Sequence, residues 1–201
     1  MNQSLSKRVA GVDLAGVEKR PTGICLLHPN LEAQALIKHG DEEILETVKA
    51  FKPSLVGVDA PLNLPAEGGL RPCDRELISR GIRVLPPILG GMRQLTLRAM
   101  RLKQAMEAEN LKVIECFPGA VRAVFKLPAK RRLPQTIKAL KGLGLKIRET
   151  ERLSLHEVDA ILAALTARLS LEGLAETIGS PKTGEIVIPR PEALQWLTRN
   201  L

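Results

Sequence analysis

One local conflict constrains this chain more than any other feature: apolar strands that carry a carboxylate. Val9-Ala10-Gly11-Val12-Asp13-Leu14-Ala15-Gly16 reads as a buried strand, yet Asp13 is set into it. A buried carboxylate is costly unless it is paired or binds a cation. The pattern recurs in Leu55-Val56-Gly57-Val58-Asp59-Ala60-Pro61 and again in Val113-Ile114-Glu115-Cys116-Phe117-Pro118. Taken singly, each acid also fits a turn residue that ends its strand. Several core strands ended or interrupted by an acid predict an acidic cluster.

The order of elements follows from turn signals and periodicity. Residues 8–14, Thr22 to His28 and Leu31 to Lys38 read as strands separated by Glu18-Lys19-Arg20-Pro21 and Pro29-Asn30, an antiparallel meander. Asp41 opens a helix that runs to about Phe51, with acids in its first turn. Leu55 to Asp59 shows no alternation, as expected of a strand buried on both faces. A Pro- and Gly-rich insertion over about 60–110 holds helices at Pro72 to Gly81 and Gln94 to Glu109. Lys112 to Phe117 is a fifth strand. Helical pieces follow at Gly119 to Phe125 and Gln135 to Lys141. Leu155 to Leu171 is the clearest helix. A hairpin around Gly179 to Gly184 and a last helix at Pro191 to Asn200 complete the chain. The expectation is an α/β protein: a mixed five-stranded sheet with helices on both faces and a helical insertion after the fourth strand, one domain over 1–201.

The helix from Leu155 adds a third acid. Its apolar stripe runs through Leu155, Val158, Ile161, Leu162, Leu165 and Leu169, and Asp159 lies on that stripe. His156 shares its edge, whereas Glu157 points toward solvent. Asp159 also fits an acid of the N-terminal turn favoured by the helix dipole. If the strands lie side by side, Asp13, Asp59 and Asp159 converge, with Glu115 as a possible fourth. Carboxylates that close cannot all ionise without cations. An all-oxygen donor set suits Mg²⁺ or Mn²⁺ rather than zinc. Two such ions can activate water and stabilise the leaving oxygen in phosphodiester cleavage.

Charge points to the partner. The chain carries a formal net charge of +8, and residues 93–152 hold 15 Lys/Arg against 5 Asp/Glu. That imbalance suggests a polyanion such as nucleic acid, although it also fits a solvated basic face. The only aromatic side chains besides histidine are Phe51, Phe117, Phe125 and Trp196, too few for platforms that stack successive bases. Nucleic acid would then be held mainly through phosphates. Cys25, Cys73 and Cys116 are odd in number and widely spaced, which fits neither a disulfide framework nor a zinc site. No apolar run approaches the roughly 18 residues that span a bilayer. The polar start, Met1 to Arg8, and the early break at Asp13 do not fit a signal peptide, so the expected location is the cytoplasm.

The ordered motifs Gly11-Val12-Asp13-Leu14-Ala15-Gly16, Arg20-Pro21-Thr22-Gly23, Gly57-Val58-Asp59-Ala60-Pro61-Leu62, Arg71-Pro72-Cys73-Asp74-Arg75, Ile114-Glu115-Cys116-Phe117-Pro118 and His156-Glu157-Val158-Asp159-Ala160 resemble the DUF429 family of predicted nucleases. The resemblance spans nearly the whole chain. It implies a ribonuclease H-like fold, with the acidic site on the first and fourth strands plus the last core helix. Related enzymes also carry an acid on the first core helix, where Glu42, Glu43 and Glu46 lie here; Glu115 is the other candidate for that ligand position.

On this reading the protein is a metal-dependent nuclease. Asp13, Asp59, Asp159 and Glu115 are the candidate metal ligands, and His156 positions or deprotonates the water. Arg20, Thr22, Arg71 and Arg75 are candidate phosphate contacts, with the run from Lys126 to Arg132 as a backbone-binding patch. Arg71 and Arg75 equally fit ordinary helix-surface arginines. Two alternatives stand beside this. One is an ATPase or phosphotransferase on the actin-like architecture, which normally needs two such domains and a second phosphate loop. The other is a non-catalytic nucleic-acid- or protein-binding module on the same fold.

Overall fold

The computed structural model describes residues 7–147 and 152–199. Asn200, expected to close the last helix, and the first six residues of the polar start lie outside these. The elements follow the expected order: β1 (Val9–Asp13), β2 (Thr22–Leu27), β3 (Glu32–Lys38), α1 (Asp41–Phe51), β4 (Leu55–Asp59), α2 (Pro72–Ser79), α3 (Gly91–Ala108), β5 (Val113–Glu115), α4 (Pro118–Val124), α5 (Leu133–Gly142), β6 (Lys146–Ile147), α6 (Leu155–Leu171), β7 (Ala175–Ser180), β8 (Gly184–Pro189) and α7 (Ala193–Arg199). No helix among the described residues is long and apolar enough to cross a membrane.

The central sheet runs β5-β4-β1-β2-β3-β6. β2 is antiparallel to β1 and β3, and β4 and β5 are parallel to their neighbours. This is the expected mixed sheet, with one departure. A sixth strand, β6, adds two residues parallel to β3 at the sheet edge. Two residues carry no periodicity, so only their pairing reveals them. β7 and β8 form a separate hairpin sheet. Its Ile178, Ile186 and Ile188 pack with Cys73, Leu77 and Ile82 of the insertion and Ala120 of α4. The insertion is therefore anchored on the hairpin rather than hanging free.

Strand alternation sorts the core into two layers. Ala10 and Val12 of β1 and Val56 and Val58 of β4 face α1 and α3, packing with Ile44, Val48, Ala99, Leu102 and Met106. Val9 and Leu55 face the opposite layer, built on α6. Gly11 and Gly57 share that second face and are direct partners across the parallel pair. They let α6 come unusually close. A Cβ on Gly11 would lie 2.1 Å from the Ala160 carbonyl oxygen and 2.3 Å from the Ala164 nitrogen. On Gly57 it would lie 2.6 Å from the Ala163 oxygen, and on Gly23 2.1 Å from that of His156. Small residues on both sides, glycine in the strands and alanine in the helix, set this contact.

The expected single apolar stripe of α6 needs correcting. Every residue from Val158 to Leu169 is buried. The helix is covered by the sheet on one side and by α4, α5 and the hairpin on the other. It is the central rod of the fold, and Asp159 is carried inside it. Its N-terminus is closed by a capping box in which Ser154 and Glu157 exchange hydrogen bonds.

Candidate metal centre

Asp13 and Asp59 end β1 and β4 in direct register. Each lies two residues beyond a glycine of the α6-facing side, so alternation turns both carboxylates toward that helix. Asp159 sits in the second turn of α6 beside Ala160, the residue that Gly11 admits so closely. Together these three elements bring one carboxylate oxygen from each of Asp13, Asp59 and Asp159 within 4.8 Å of one another.

His156 stands one turn earlier on α6. Its Nδ1 lies 2.6 Å from Asp13 Oδ2. Asp159 is met by two cations: Arg122 Nη2 donates to Oδ1 at 2.5 Å, and the Lys130 ammonium pairs with Oδ2 at 2.7 Å. Oδ2 is buried with the Lys130 ammonium as its ion-pair partner, while Arg122 Nη1 is buried with no hydrogen-bond partner among the described residues.

Electrostatics follow from this crowding. Burial pushes the Asp13 carboxyl above its ordinary value; the His156 hydrogen bond pulls it back and the Asp159 charge pushes it up again. Asp59 is pushed up much further, first by burial and then by the charges of Asp13 and Asp159. Burial works against the Lys130 ammonium, but attraction to Asp159, Asp59 and Asp13 outweighs it and holds that group charged.

The donor chemistry fits a hard divalent ion. All three donors are carboxylate oxygens, and they converge. A group with these needs is satisfied by Mg²⁺ or Mn²⁺ better than by a soft metal.

The structure does not bring Glu115 into this cluster. β5 pairs with β4 so that Glu115 stands opposite Val58, not Asp59. One residue out of phase places it with the face that Val58 shares. Both its oxygens are taken by Arg71, at 2.7 Å from Nη1 and 2.6 Å from Nη2, and Leu62 N–H donates to Oε2 at 2.8 Å.

Arg71 is likewise not a free phosphate contact. Its guanidinium also holds Asp74 and Asn63, and its side chain is 1% exposed. Arg75, one turn on, faces outward beside a different hollow with Lys182 and Thr183. Thr22 is buried, and its hydroxyl accepts from Ala15 N–H at 3.1 Å. It secures the loop that follows Asp13. Arg20 is exposed in the adjoining turn. Glu42, Glu43 and Glu46 are not part of the carboxylate cluster.

Two residues at or beside the site, Arg122 and Arg98, are not among the candidates that the sequence offers, and a third, Lys130, lies in the expected basic patch but meets a carboxylate instead. Arg122 and Lys130 contact Asp159 from the α4–α5 region. Arg98, 2% exposed, bonds the Ala15 and His39 carbonyls and Asp41, tying the loop after β1 to the start of α1. Lys130 belongs to a basic run that was visible, but which member turns inward depends on the loop. Nothing local to Arg122 or Arg98 sets them apart from surface arginines.

A family profile described as "Protein of unknown function (DUF429)" matches residues 11–183. No curated protein matches the chain. Among solved structures, Thermus thermophilus RuvC in complex with a Holliday junction substrate is 20% identical, with 83% of this chain and 96% of that chain covered at a TM-score of 0.49. A second T. thermophilus RuvC structure is 18% identical, with the same coverage and a TM-score of 0.48.

Proposed function

The chain belongs to the DUF429 family, and from the acidic cluster within its matched region we propose that it is a metal-dependent nuclease that hydrolyses phosphodiester bonds of nucleic acid. The observation that carries this reading is the convergence of Asp13, Asp59 and Asp159 from two strands and a helix, a concentration of carboxylates that Arg122 and Lys130 relieve at Asp159 and that a bound divalent ion would relieve across the cluster. Asp13, Asp59 and Asp159 would hold Mg²⁺ or Mn²⁺. Such an ion supplies an activated water and neutralises charge developing on the phosphate.

The chain's own groups divide the remaining work. Asp13 engages His156 through Nδ1, which leaves Nε2 to accept the proton of the attacking water. Arg122 keeps one buried guanidinium nitrogen without a partner, a donor suited to a phosphate oxygen. Exposed Lys126, Arg131 and Arg132 flank Lys130 and would hold the polymer backbone.

The test is a cleavage screen over labelled single- and double-stranded DNA and RNA with Mg²⁺ or Mn²⁺, beside an Asp13→Asn control. Ion-dependent cleavage that falls at least the ~100-fold that even supporting residues of a metal site command is the expected result. Cleavage that survives the substitution would overturn the site.

Lys130 makes a separate prediction. Its ammonium competes with any ion for Asp159. Lys130→Ala should tighten Mn²⁺ binding by about fivefold, the upper range for a part-exposed ion pair. Calorimetric titration reads this directly; unchanged or weaker affinity would show that Lys130 does not compete.

A further inference from the structure

Beside the carboxylates lies a hollow of about 300 Å³. Asp13 and Asp59 form one part of its wall. Leu14, Pro61, Val84, Leu85, Met92, Leu95, Phe117 and Ile186 make most of the rest, contributed by the loop after β1, the insertion, the segment after β5 and the hairpin. Arg71, Asp74 and Glu115 also reach it, but they are bound to one another. What the hollow offers a ligand is therefore apolar contact. Its rim is open: Leu85 is 61% exposed, and Arg83 stands beside it.

Asp159, Arg122 and Lys130 do not line this hollow. They meet the cluster from elsewhere. The site thus has two chemically distinct flanks that join at Asp13 and Asp59: one cationic, one apolar and recessed. A ligand that satisfies both needs an anionic group and, close to it, an uncharged body with apolar faces. A nucleotide within a strand has that division.

We propose that this hollow receives one unstacked nucleobase next to the scissile phosphate, so that the substrate class is single-stranded or locally unpaired nucleic acid. The proposal rests on the nuclease reading for the identity of the phosphate. A base inside a regular duplex cannot enter a recess without leaving its stack, whereas a single strand or an unpaired position presents it at small cost. The scarcity of aromatic platforms is consistent with this. The base is held by aliphatic walls and the single ring of Phe117 rather than by successive stacking.

The test measures binding with divalent ions chelated, so that no cleavage can occur. A short single-stranded oligonucleotide is compared with an abasic strand of the same length and charge by fluorescence anisotropy. The intact strand should bind about tenfold more tightly, the scale of one base in apolar contact. Val84→Trp, which fills the hollow, should abolish that preference while leaving the abasic affinity unchanged. Leu85→Ser, at an exposed rim position that folding tolerates, should reduce it in the same way. Equal affinity of the wild-type protein for the two strands overturns the proposal, and so does a preference that both variants retain. A base preference without cleavage of any substrate when Mg²⁺ or Mn²⁺ is restored would sustain the pocket and overturn the nuclease reading instead.

Discussion

Metal-free Asp59→Asn protein should melt about 2–8 °C above the wild type, and should lose most of the stabilisation that Mn²⁺ confers. The first effect has a physical source in the acidic cluster. Asp59 is half-buried against two further carboxylates, and its loss of solvent and their charges drive its proton affinity up. Ionising it in the folded state therefore opposes folding. An amide of the same shape removes that repulsion, a gain on the scale of about 1–2 kcal/mol for relieving a strained functional site. For a chain of this size each kcal/mol moves the melting temperature by roughly 2–4 °C.

The sign of the pH dependence follows. Below the ordinary value of 3.8, Asp59 is protonated in both folded and unfolded chains and has no effect. As pH rises past 3.8, the unfolded chain releases the proton while the folded one keeps it, so stability falls until pH exceeds the raised folded value. Asp13 contributes in the same direction. Thermal melts of chelator-treated protein should show a decline with rising pH that is shallower in Asp59→Asn. A variant that melts below the wild type at neutral pH, or one that still gains full stability from Mn²⁺, would remove Asp59 from the ion site.

Arg71→Met should lower stability by about 3–5 kcal/mol, the cost of stranding buried charge. That corresponds to a fall of roughly 6–20 °C in melting temperature. One guanidinium here serves two carboxylates. It donates to Asp74 at 3.0 and 2.8 Å and to Glu115 at 2.7 and 2.6 Å, with Asn63 at 2.8 Å. Burial pushes the Glu115 carboxyl up, and Arg71 pulls it back. Without Arg71, Glu115 and Asp74 remain buried with no cation in contact. Adding Glu115→Gln to Arg71→Met should recover part of the loss, because it removes one of the two stranded charges. A stability loss under about 1 kcal/mol for Arg71→Met would mean that the network contributes little and that water reaches these acids.

These two substitutions separate acids that look alike in the sequence. Asp13, Asp59 and Glu115 each end or interrupt an apolar run. Alternation tells them apart once the pairing is known: Asp13 and Asp59 share a face with Gly11 and Gly57, while Glu115 stands opposite Val58. Pairing register is a long-range property, and a slip of one residue reverses the face. The sequence reading therefore grouped Glu115 with acids on the other side of the sheet. Arg71 was misplaced for a related reason. Its spacing from Arg75 describes one helical turn, but only the packing of α2 on the hairpin decides which of the two turns inward.

The amino-acid sequence by itself determined the order of the main elements, the meander followed by parallel strands, and the acid carried by the central helix. Each of those is written in local terms: turn residues, runs of apolar positions and helix caps. The tertiary structure alone decided the meeting of Asp13, Asp59 and Asp159. That meeting depends on α6 lying on Gly11, Gly57 and Gly23 at backbone contact, and on Arg122 and Lys130 arriving from a distant segment. Distances of that kind are set by side chains that are missing from the strands as much as by those that are present, and no local pattern records them.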